Sequence, residues 1–144
     1  MKLAEKIADI RKNSGLTQKE FAEKLFVTRQ AVTRWESGET TPNIETLKTI
    51  INLFNIDANT LFDSTSICQS CARPIENLDD LGTNADKSIS LDYCNPCFTD
   101  GKLYPANSFE EWVDLCLQYF DNPTEEIKEQ FKAQLLTLKR WNGQ

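Results

Sequence analysis

The chain contains no histidine, which excludes the pairs in which a histidine activates a serine or cysteine nucleophile. It also lacks the long apolar run of a signal peptide or a membrane span. Its opening segment, MKLAEKIADIRKN, instead mixes charged and apolar residues at helical spacing. The dipeptide GK at Gly101 lacks the glycine-rich lead of a phosphate-binding loop. We therefore expect neither an enzyme nor a membrane protein, and we expect a cytoplasmic location.

The net charge of -6 is unevenly distributed. Residues 1–62 hold nine Lys or Arg and eight Asp or Glu, whereas residues 63–144 hold seven and fourteen. A hydrophobic content of 40% leaves the acidic part little material for a core, so a metal or a partner is expected to stabilise it. We predict a domain over residues 1–62, a linker (DSTSI) over residues 63–67 and a second module over residues 68–144.

Apolar residues at helical spacing predict five helices in the first 62 residues. The sequence TQKE at Thr17–Glu20 is a capping box that opens the second helix. Thr28 can cap the third helix, which Gly38 ends, and Asn43 can cap the fourth, while a short fifth reaches Phe62. The residues predicted to form the core of this part are Leu3, Phe21, Leu25, Val32, Trp35, Leu47 and Ile50.

The stretch LTQKEFAEKLFVTRQAVTRWESGETTPNIETLKTI is similar to the Cro-like, XRE-type helix-turn-helix family, and the resemblance covers residues 3–62. It depends on the joint register of several elements, which include Gln18 after the threonine cap, WESG at the end of the third helix and Pro42 beyond it. The resemblance implies a five-helix, lambda-repressor-like domain that binds double-stranded DNA with its third helix in the major groove.

Within this resemblance, Arg29 and Gln30 match the base-contacting positions, since arginine can fork onto guanine and glutamine onto adenine. Thr33 and Arg34 lie one turn further along, and Gln18 would donate to a phosphate at the start of the second helix. The implied DNA-binding set is Gln18, Thr28, Arg29, Gln30, Thr33 and Arg34. Similar polar residues on an isolated helix usually form only a solvated surface, so the assignment depends on the five-helix register.

Two Cys-x-x-Cys pairs, CQSC and CNPC, are separated by 22 residues. Four thiolates in two such hooks form a tetrahedral set suited to one zinc ion per chain. The predicted ligands are Cys68, Cys71, Cys94 and Cys97. A redox dithiol, two disulfides and an iron centre are the alternatives; the βαβ context of a thioredoxin-like dithiol is missing, whereas iron can use the same sulfur geometry. A closed four-thiolate zinc site leaves no position open for catalysis.

Residues from about 68 to 141 resemble a zinc-ribbon domain family of bacterial proteins. The resemblance depends on the motifs CQSC, GTNAD, DYCNPCFTDGKL and TLKRW. The chain departs from the family at Ala72 and Arg73, where Gly-Met is usual. The resemblance implies a fold and a metal, but it does not assign a biological role.

Two amphipathic helices follow the second cysteine pair. The first is predicted to begin after Ser108, with Glu111 completing a capping box, and the second after Asn122, with Pro123 at its first position. Their predicted apolar faces hold Phe109, Trp112, Val113, Cys116 and Phe120 in the first, and Ile127, Phe131, Leu135 and Leu138 in the second. We expect a helical hairpin against the ribbon, with the unpaired Cys116 in its core.

Together these patterns predict a mainly α protein: a DNA-binding five-helix domain followed by a small zinc ribbon with a C-terminal helical hairpin. The expected function is sequence-specific transcription regulation by a homodimer on a two-fold DNA site. The acidic module is expected to face away from DNA or to meet another protein. The alternatives are an adaptor or antitoxin-like partner that binds protein, and a zinc or redox sensor acting through the four cysteines.

Overall fold

The computed structural model describes residues 2–61 and 66–143. Phe62 and linker residues 63–65 therefore lie outside the described residues. We call residues 2–61 the head and residues 66–143 the ribbon module. The helices and strands in these ranges are α1 (Leu3–Asn13), α2 (Gln18–Leu25), α3 (Arg29–Ser37), α4 (Ile44–Phe54), β1 (Leu81–Thr83), β2 (Ile89–Cys94), β3 (Phe98–Thr99), β4 (Lys102–Leu103), α5 (Phe109–Leu117) and α6 (Glu125–Leu135). The predicted mainly helical fold class is confirmed.

Three helices of the head, α2, α3 and α4, begin where the capping residues predict, and α3 also ends as predicted. The side-chain oxygens of Thr17, Thr28 and Asn43 each accept a hydrogen bond from the backbone amide three residues further on, at 3.1, 3.1 and 2.8 Å. Gly38, with a φ of 79°, ends α3 in the left-handed conformation. The short fifth helix is a 3-10 helix over Ala58–Leu61. Local side-chain chemistry therefore positions α3, the helix of functional interest.

The core of the head contains the residues that the apolar pattern predicts. All seven are buried: Leu3, Phe21, Leu25, Val32, Trp35, Leu47 and Ile50. The ring of Phe21 also stacks on that of Phe54, with 5.4 Å between the ring centres. The two buried residues of α3, Val32 and Trp35, fix which face of that helix points outward.

The ribbon module contains two small antiparallel sheets in its described residues. One sheet pairs β1 with β2 and places Leu81 opposite Cys94, and the other pairs β3 with β4. The first residue of the GTNAD motif, Gly82, lies where the sheets meet, because a Cβ at this position would come within 2.6 Å of the Phe98 carbonyl oxygen. Glycine is therefore required for the two sheets to approach each other.

Both predicted C-terminal helices are present, but one of their boundaries differs. Ser108 caps α5 as predicted and accepts a hydrogen bond from the Glu111 amide at 3.1 Å. The predicted cap at Asn122 is wrong, because α6 begins after Thr124, whose hydroxyl accepts from the Ile127 amide at 3.2 Å. Asn122 instead adopts a φ of 48° in the turn between the two helices.

The ribbon module contacts the head at the loop between α3 and α4. The amide of Ile89, the first residue of β2, donates to the Pro42 carbonyl at 3.1 Å, and the Thr41 hydroxyl donates to the Ile89 carbonyl at 2.5 Å. An ion pair of 3.3 Å joins Lys48 of α4 to Asp79. We call the two hydrogen bonds the Ile89 contact. It places the start of β2 against the segment that immediately follows the predicted DNA-reading helix.

Candidate metal centre and nucleic-acid interface

The four cysteines predicted as metal ligands come together in the ribbon module. Their Sγ atoms all lie within 4.8 Å of one another. A tetrahedral zinc site with Zn–S bonds of about 2.3 Å requires sulfur atoms about 3.8 Å apart. The Sγ atoms of Cys71 and Cys94 are separated by 3.8 Å. This arrangement fits one tetrahedral metal ion.

The first hook, Cys68 to Cys71, is closed by its own backbone. The Ser70 amide donates to the Cys68 sulfur at 3.4 Å, and the Ala72 amide donates to the Cys68 carbonyl at 2.9 Å. Ala72 adopts a φ of 64°, in the left-handed region that favours glycine. The departure from the usual Gly-Met therefore places a strained alanine in the turn, and the hook still closes.

The second hook begins at the end of a strand. Cys94 is the last residue of β2, and the Cys97 amide donates to the Cys94 carbonyl at 3.1 Å. The Cys97 carbonyl in turn accepts from the Tyr104 amide at 2.7 Å. Since β2 also carries Ile89 at its other end, one strand joins the metal centre to the contact with the head.

The four thiol groups lie so close together that a bound cation would stabilise their ionised forms. Hydrogen bonds from Cys71, Cys94 and Cys97 lower the pKa of Cys68. Hydrogen bonds with Cys68, Cys71 and Cys94 raise the pKa of Cys97. Thiolates packed this closely repel one another unless a metal ion neutralises them, which is the chemistry of a structural zinc site.

Cys116 lies apart from this cluster. It is half-buried on α5, so the predicted core position is only partly realised. Among the described residues, the group with metal-ligand spacing contains the other four cysteines and not this one. Burial, followed by the negative charge of Cys68, raises the pKa of Cys116 to about 11. Its thiol is therefore protonated at neutral pH and is a poor nucleophile.

The outer face of α3 presents the polar residues that the sequence selects. Arg29, Gln30, Thr33 and Arg34 are exposed on this helix, as is the capping residue Thr28 that precedes it. Within the described ranges, Arg29 forms no ion pair, while Arg34 has only a loose, exposed pair with a carboxylate 3.9 Å away. The two guanidinium groups are therefore free to meet an anion from solution.

Gln18 is held by a polar network that connects three helices. Its amide nitrogen donates to Glu36 at 3.0 Å, and its amide oxygen accepts from the Thr33 hydroxyl at 3.1 Å. Glu36 in turn accepts two hydrogen bonds from Arg11, at 2.5 and 3.1 Å. The sequence did not reveal this network, because Arg11 and Glu36 lie 25 residues apart. The network uses one hydrogen of the Gln18 amide group as a donor.

The Arg11–Glu36 pair is well shielded from solvent, with side-chain exposures of 13% and 10%. Burial raises the pKa of Glu36, but hydrogen bonds from Arg11 and Gln18 outweigh it, so the pKa lies below its ordinary value. The hydrogen bond to Glu36 raises the pKa of Arg11. The pair is thus fully charged at neutral pH and links α1 to α3.

The ribbon module also reaches the face of the head that holds α3. A cleft beside α3 is lined by Gln30 and Arg34 on one side and by Asp86 and Ser88 on the other. This end of the acidic module therefore lies beside the predicted reading helix. Hydrogen bonds from the hydroxyl and amide of Ser88 lower the pKa of Asp86, which keeps its carboxylate ionised beside this cleft.

None of the helices in the described ranges combines the length and the apolar character needed to cross a membrane.

Comparison with family models assigns both parts of the chain. Residues 67–142 match the family described as "Putative zinc ribbon domain". Residues 7–61 match the family described as "Helix-turn-helix". The two matches meet within the segment around the predicted linker, and together they agree with both resemblances drawn from the sequence.

Two curated proteins are similar to the N-terminal part. The HTH-type transcriptional activator BcrR of Enterococcus faecalis is 37% identical over 67 residues, which are 46% of this chain and 33% of that protein. The HTH-type transcriptional regulator ImmR of Bacillus subtilis (strain 168) is 30% identical over 67 residues, or 46% of this chain and 53% of that protein. The matches thus span about a third and about half of the relatives' lengths. No solved structure gave a significant match. The chain belongs to the "Putative zinc ribbon domain" family, whose model spans more than half of its residues, and it carries a helix-turn-helix domain over residues 7–61.

Proposed function

We propose that this protein is a sequence-specific DNA-binding transcriptional regulator that reads the major groove with α3. The observation that carries the proposal is the set of four exposed polar side chains on α3, within a domain that matches the helix-turn-helix family. Both curated relatives are named as transcriptional regulators of the same type. Single helix-turn-helix heads bind weakly, so we propose that a homodimer occupies a two-fold site.

The distribution of charge supports this proposal despite the net charge of -6. DNA affinity depends mainly on the phosphates that Lys and Arg neutralise locally, whereas total charge acts at longer range. Arg29 and Arg34 are exposed on the proposed reading face. The acidic ribbon module weakens non-specific attraction to DNA, and specific binding then depends on the contacts of α3. Salt-sensitive binding to random duplex DNA and retention on heparin test the proposal at its simplest level.

Replacing Arg29 or Gln30 by alanine is expected to cost about 1 to 3 kcal/mol of specific binding and to relax base preference at one position. Both side chains are exposed and have no part in the core, so folding should not change. The measurement is a titration onto an operator selected from random duplexes with the wild-type protein.

The matched control for this titration is Lys128→Ala, which removes one positive charge from α6 of the ribbon module. It should alter affinity only slightly and equally for all sequences. Wild-type affinity and unchanged base preference in both the Arg29 and Gln30 variants would refute the assignment of α3 as the reading helix. Protein binding through the head would then be the better explanation.

For the ribbon module, we propose one structural zinc ion bound by the two cysteine hooks. The purified protein should contain one metal ion per chain, and Cys116→Ser should retain it, because Cys116 lies outside the cluster. Cys71→Ser is the matched variant and should lose the metal. Elemental analysis measures both quantities and distinguishes zinc from iron. A metal-free wild type, or loss of metal from the Cys116 variant alone, would contradict this proposal.

A further inference from the structure

An arginine and two tryptophans close over the first cysteine hook. The guanidinium carbon of Arg140 lies 4.4 Å from the ring centre of Trp112 and 4.6 Å from that of Trp141. Its Nη1 donates to the Ser70 hydroxyl at 2.9 Å, and its Nη2 donates to the Tyr104 carbonyl at 2.7 Å. Both ring distances lie within the range of favourable cation–π contact. The guanidinium is therefore fixed in one position beside the hook.

Trp112, Trp141 and Arg140 also form hydrogen bonds with the backbone of the hook. The Ser70 carbonyl accepts hydrogen bonds from both indole N–H groups, at 2.8 and 3.0 Å. The Gln69 carbonyl accepts from the Arg140 amide at 3.2 Å, and the N–H of that same peptide group donates to the Cys68 sulfur at 3.4 Å. A peptide group that accepts at its oxygen is polarised to donate more strongly at its nitrogen. This chain of bonds connects the backbone of Arg140 to a ligand sulfur of the hook.

The charge of Arg140 has no carboxylate partner. In the described part of the chain no carboxylate lies within ion-pair distance of its guanidinium, whereas the neighbouring Lys139 pairs with Asp92 at 2.8 Å. Burial lowers the pKa of Arg140, and the negative charge of Cys97 opposes this shift. Four thiolates around a divalent ion carry two excess negative charges. The negative groups that act on the half-buried guanidinium include the ligand sulfurs of Cys97 and Cys68.

We propose that Arg140 is a positioning residue of the metal centre, whose charge stabilises the four thiolates and raises metal affinity, while Trp112 and Trp141 hold it in place. The inference rests on the proposed metal site and is independent of DNA binding. It also gives a role to the TLKRW motif, whose Arg140 and Trp141 contact Ser70 of CQSC although the two motifs are far apart in the sequence. The motif completes the surroundings of the metal, and such surroundings commonly tune affinity.

The test compares full-length variants in two measurements. The first is competition for Zn²⁺ against a chromogenic chelator, and the second is uptake of Co²⁺ as a function of pH, followed by its thiolate absorption bands. Arg140→Gln is expected to weaken Zn²⁺ binding by about tenfold or more and to move the midpoint of Co²⁺ uptake to higher pH. Arg140→Lys keeps the charge and should stay near the wild type. Lys139→Gln removes the neighbouring charge and should change neither quantity.

A purely structural role for Arg140 gives a different pattern. Lysine cannot reproduce the forked hydrogen bonds, so it would fail as badly as glutamine, and the pH midpoint would not move. That pattern, or wild-type behaviour of Arg140→Gln, would overturn the inference. If Arg140→Gln does not fold, Arg140→Lys provides the test. A Zn²⁺ affinity near that of the wild type supports a role for the positive charge, and a tenfold loss of affinity overturns the inference. A wild type that binds no metal would overturn the metal site itself and, with it, this inference.

Discussion

Removing the metal with a strong chelator under reducing conditions is expected to unfold the ribbon module while the head keeps its helices. Thiolate-bound structural zinc contributes about 10 to 16 kcal/mol of apparent binding energy, which in small modules becomes folding energy. The sheets of the module have two strands each, and two-stranded sheets are marginal on their own. Phe21 and Leu47 are buried on helices of the head, and Phe21 stacks on Phe54 of α4, so we expect these helices to persist without the metal.

Amide hydrogen exchange resolved by residue, with and without chelator, measures this effect. Protection should vanish across residues 66–143 and persist in α1 to α4. The Cys116→Ser variant should behave like the wild type, which shows that the loss comes from the four-cysteine site. The idea of a structural metal fails if the module stays protected without metal. It also fails if micromolar zinc switches DNA binding on and off while both parts remain folded, because the protein would then be a sensor.

Replacing Glu36 by alanine is expected to destabilise the head by about 3 kcal/mol, since it leaves a shielded arginine without its partner. The Arg11 guanidinium would lose both hydrogen bonds to the carboxylate, and the Gln18 amide would lose its acceptor. Urea denaturation of the metal-loaded protein, followed through resolved signals of the head, measures the loss. DNA affinity should also fall if Gln18 contacts a phosphate, since its orientation depends on Glu36.

The double variant Arg11→Met, Glu36→Leu is the matched control for this substitution. Replacing both charges with apolar side chains avoids an unpaired charge, so the double variant should be more stable than Glu36→Ala alone. Equal stability of Glu36→Ala and the wild type would show that the pair contributes nothing to the fold.

The contribution of Glu36 should also depend on pH in a defined direction. Its folded-state pKa is lowered, so the stabilisation is fully present above the unfolded value of about 4.3 and is lost as the pH falls through the lower folded value. The stability difference between the wild type and Glu36→Gln should therefore be constant from neutral pH to about pH 5 and shrink below about pH 4. This difference must be measured from signals of the head alone, because acid also releases thiolate-bound metal and so affects the ribbon module.

The parts of the fold that the sequence predicts are those determined by neighbours in the chain. Thr17, Thr28 and Asn43 bond to amides three residues away, and the cysteine hooks are compact turns. The cap of α6 was misplaced because Asn122 and Thr124 are both good capping residues, and only the backbone conformation distinguishes them. Such ambiguity shifts a helix boundary by a few residues but leaves the helix in place.

The contacts that the sequence does not predict join residues far apart. Arg11 and Glu36 are 25 residues apart, and Thr41 and Ile89 are 48 apart. Polar contacts at such separations have no periodicity and no local composition that would mark them. For this reason the sequence predicts Gln18 as a candidate but not the network that holds it, and it predicts two domains but not the Ile89 contact.

The hydrogen bond from Trp141 to the Ser70 carbonyl has a consequence for the order in which the protein folds. The two residues are 71 positions apart, so this bond closes a loop of nearly half the chain. Closing a long loop costs entropy before its contacts are gained, and contacts of high sequence separation slow folding. The head, where neighbouring helices pack, can reach its final form while the ribbon module is still open. Metal binding at full affinity therefore requires more than four cysteine sulfurs around an ion. It also requires that the segment holding Arg140 and Trp141 has packed against the first hook.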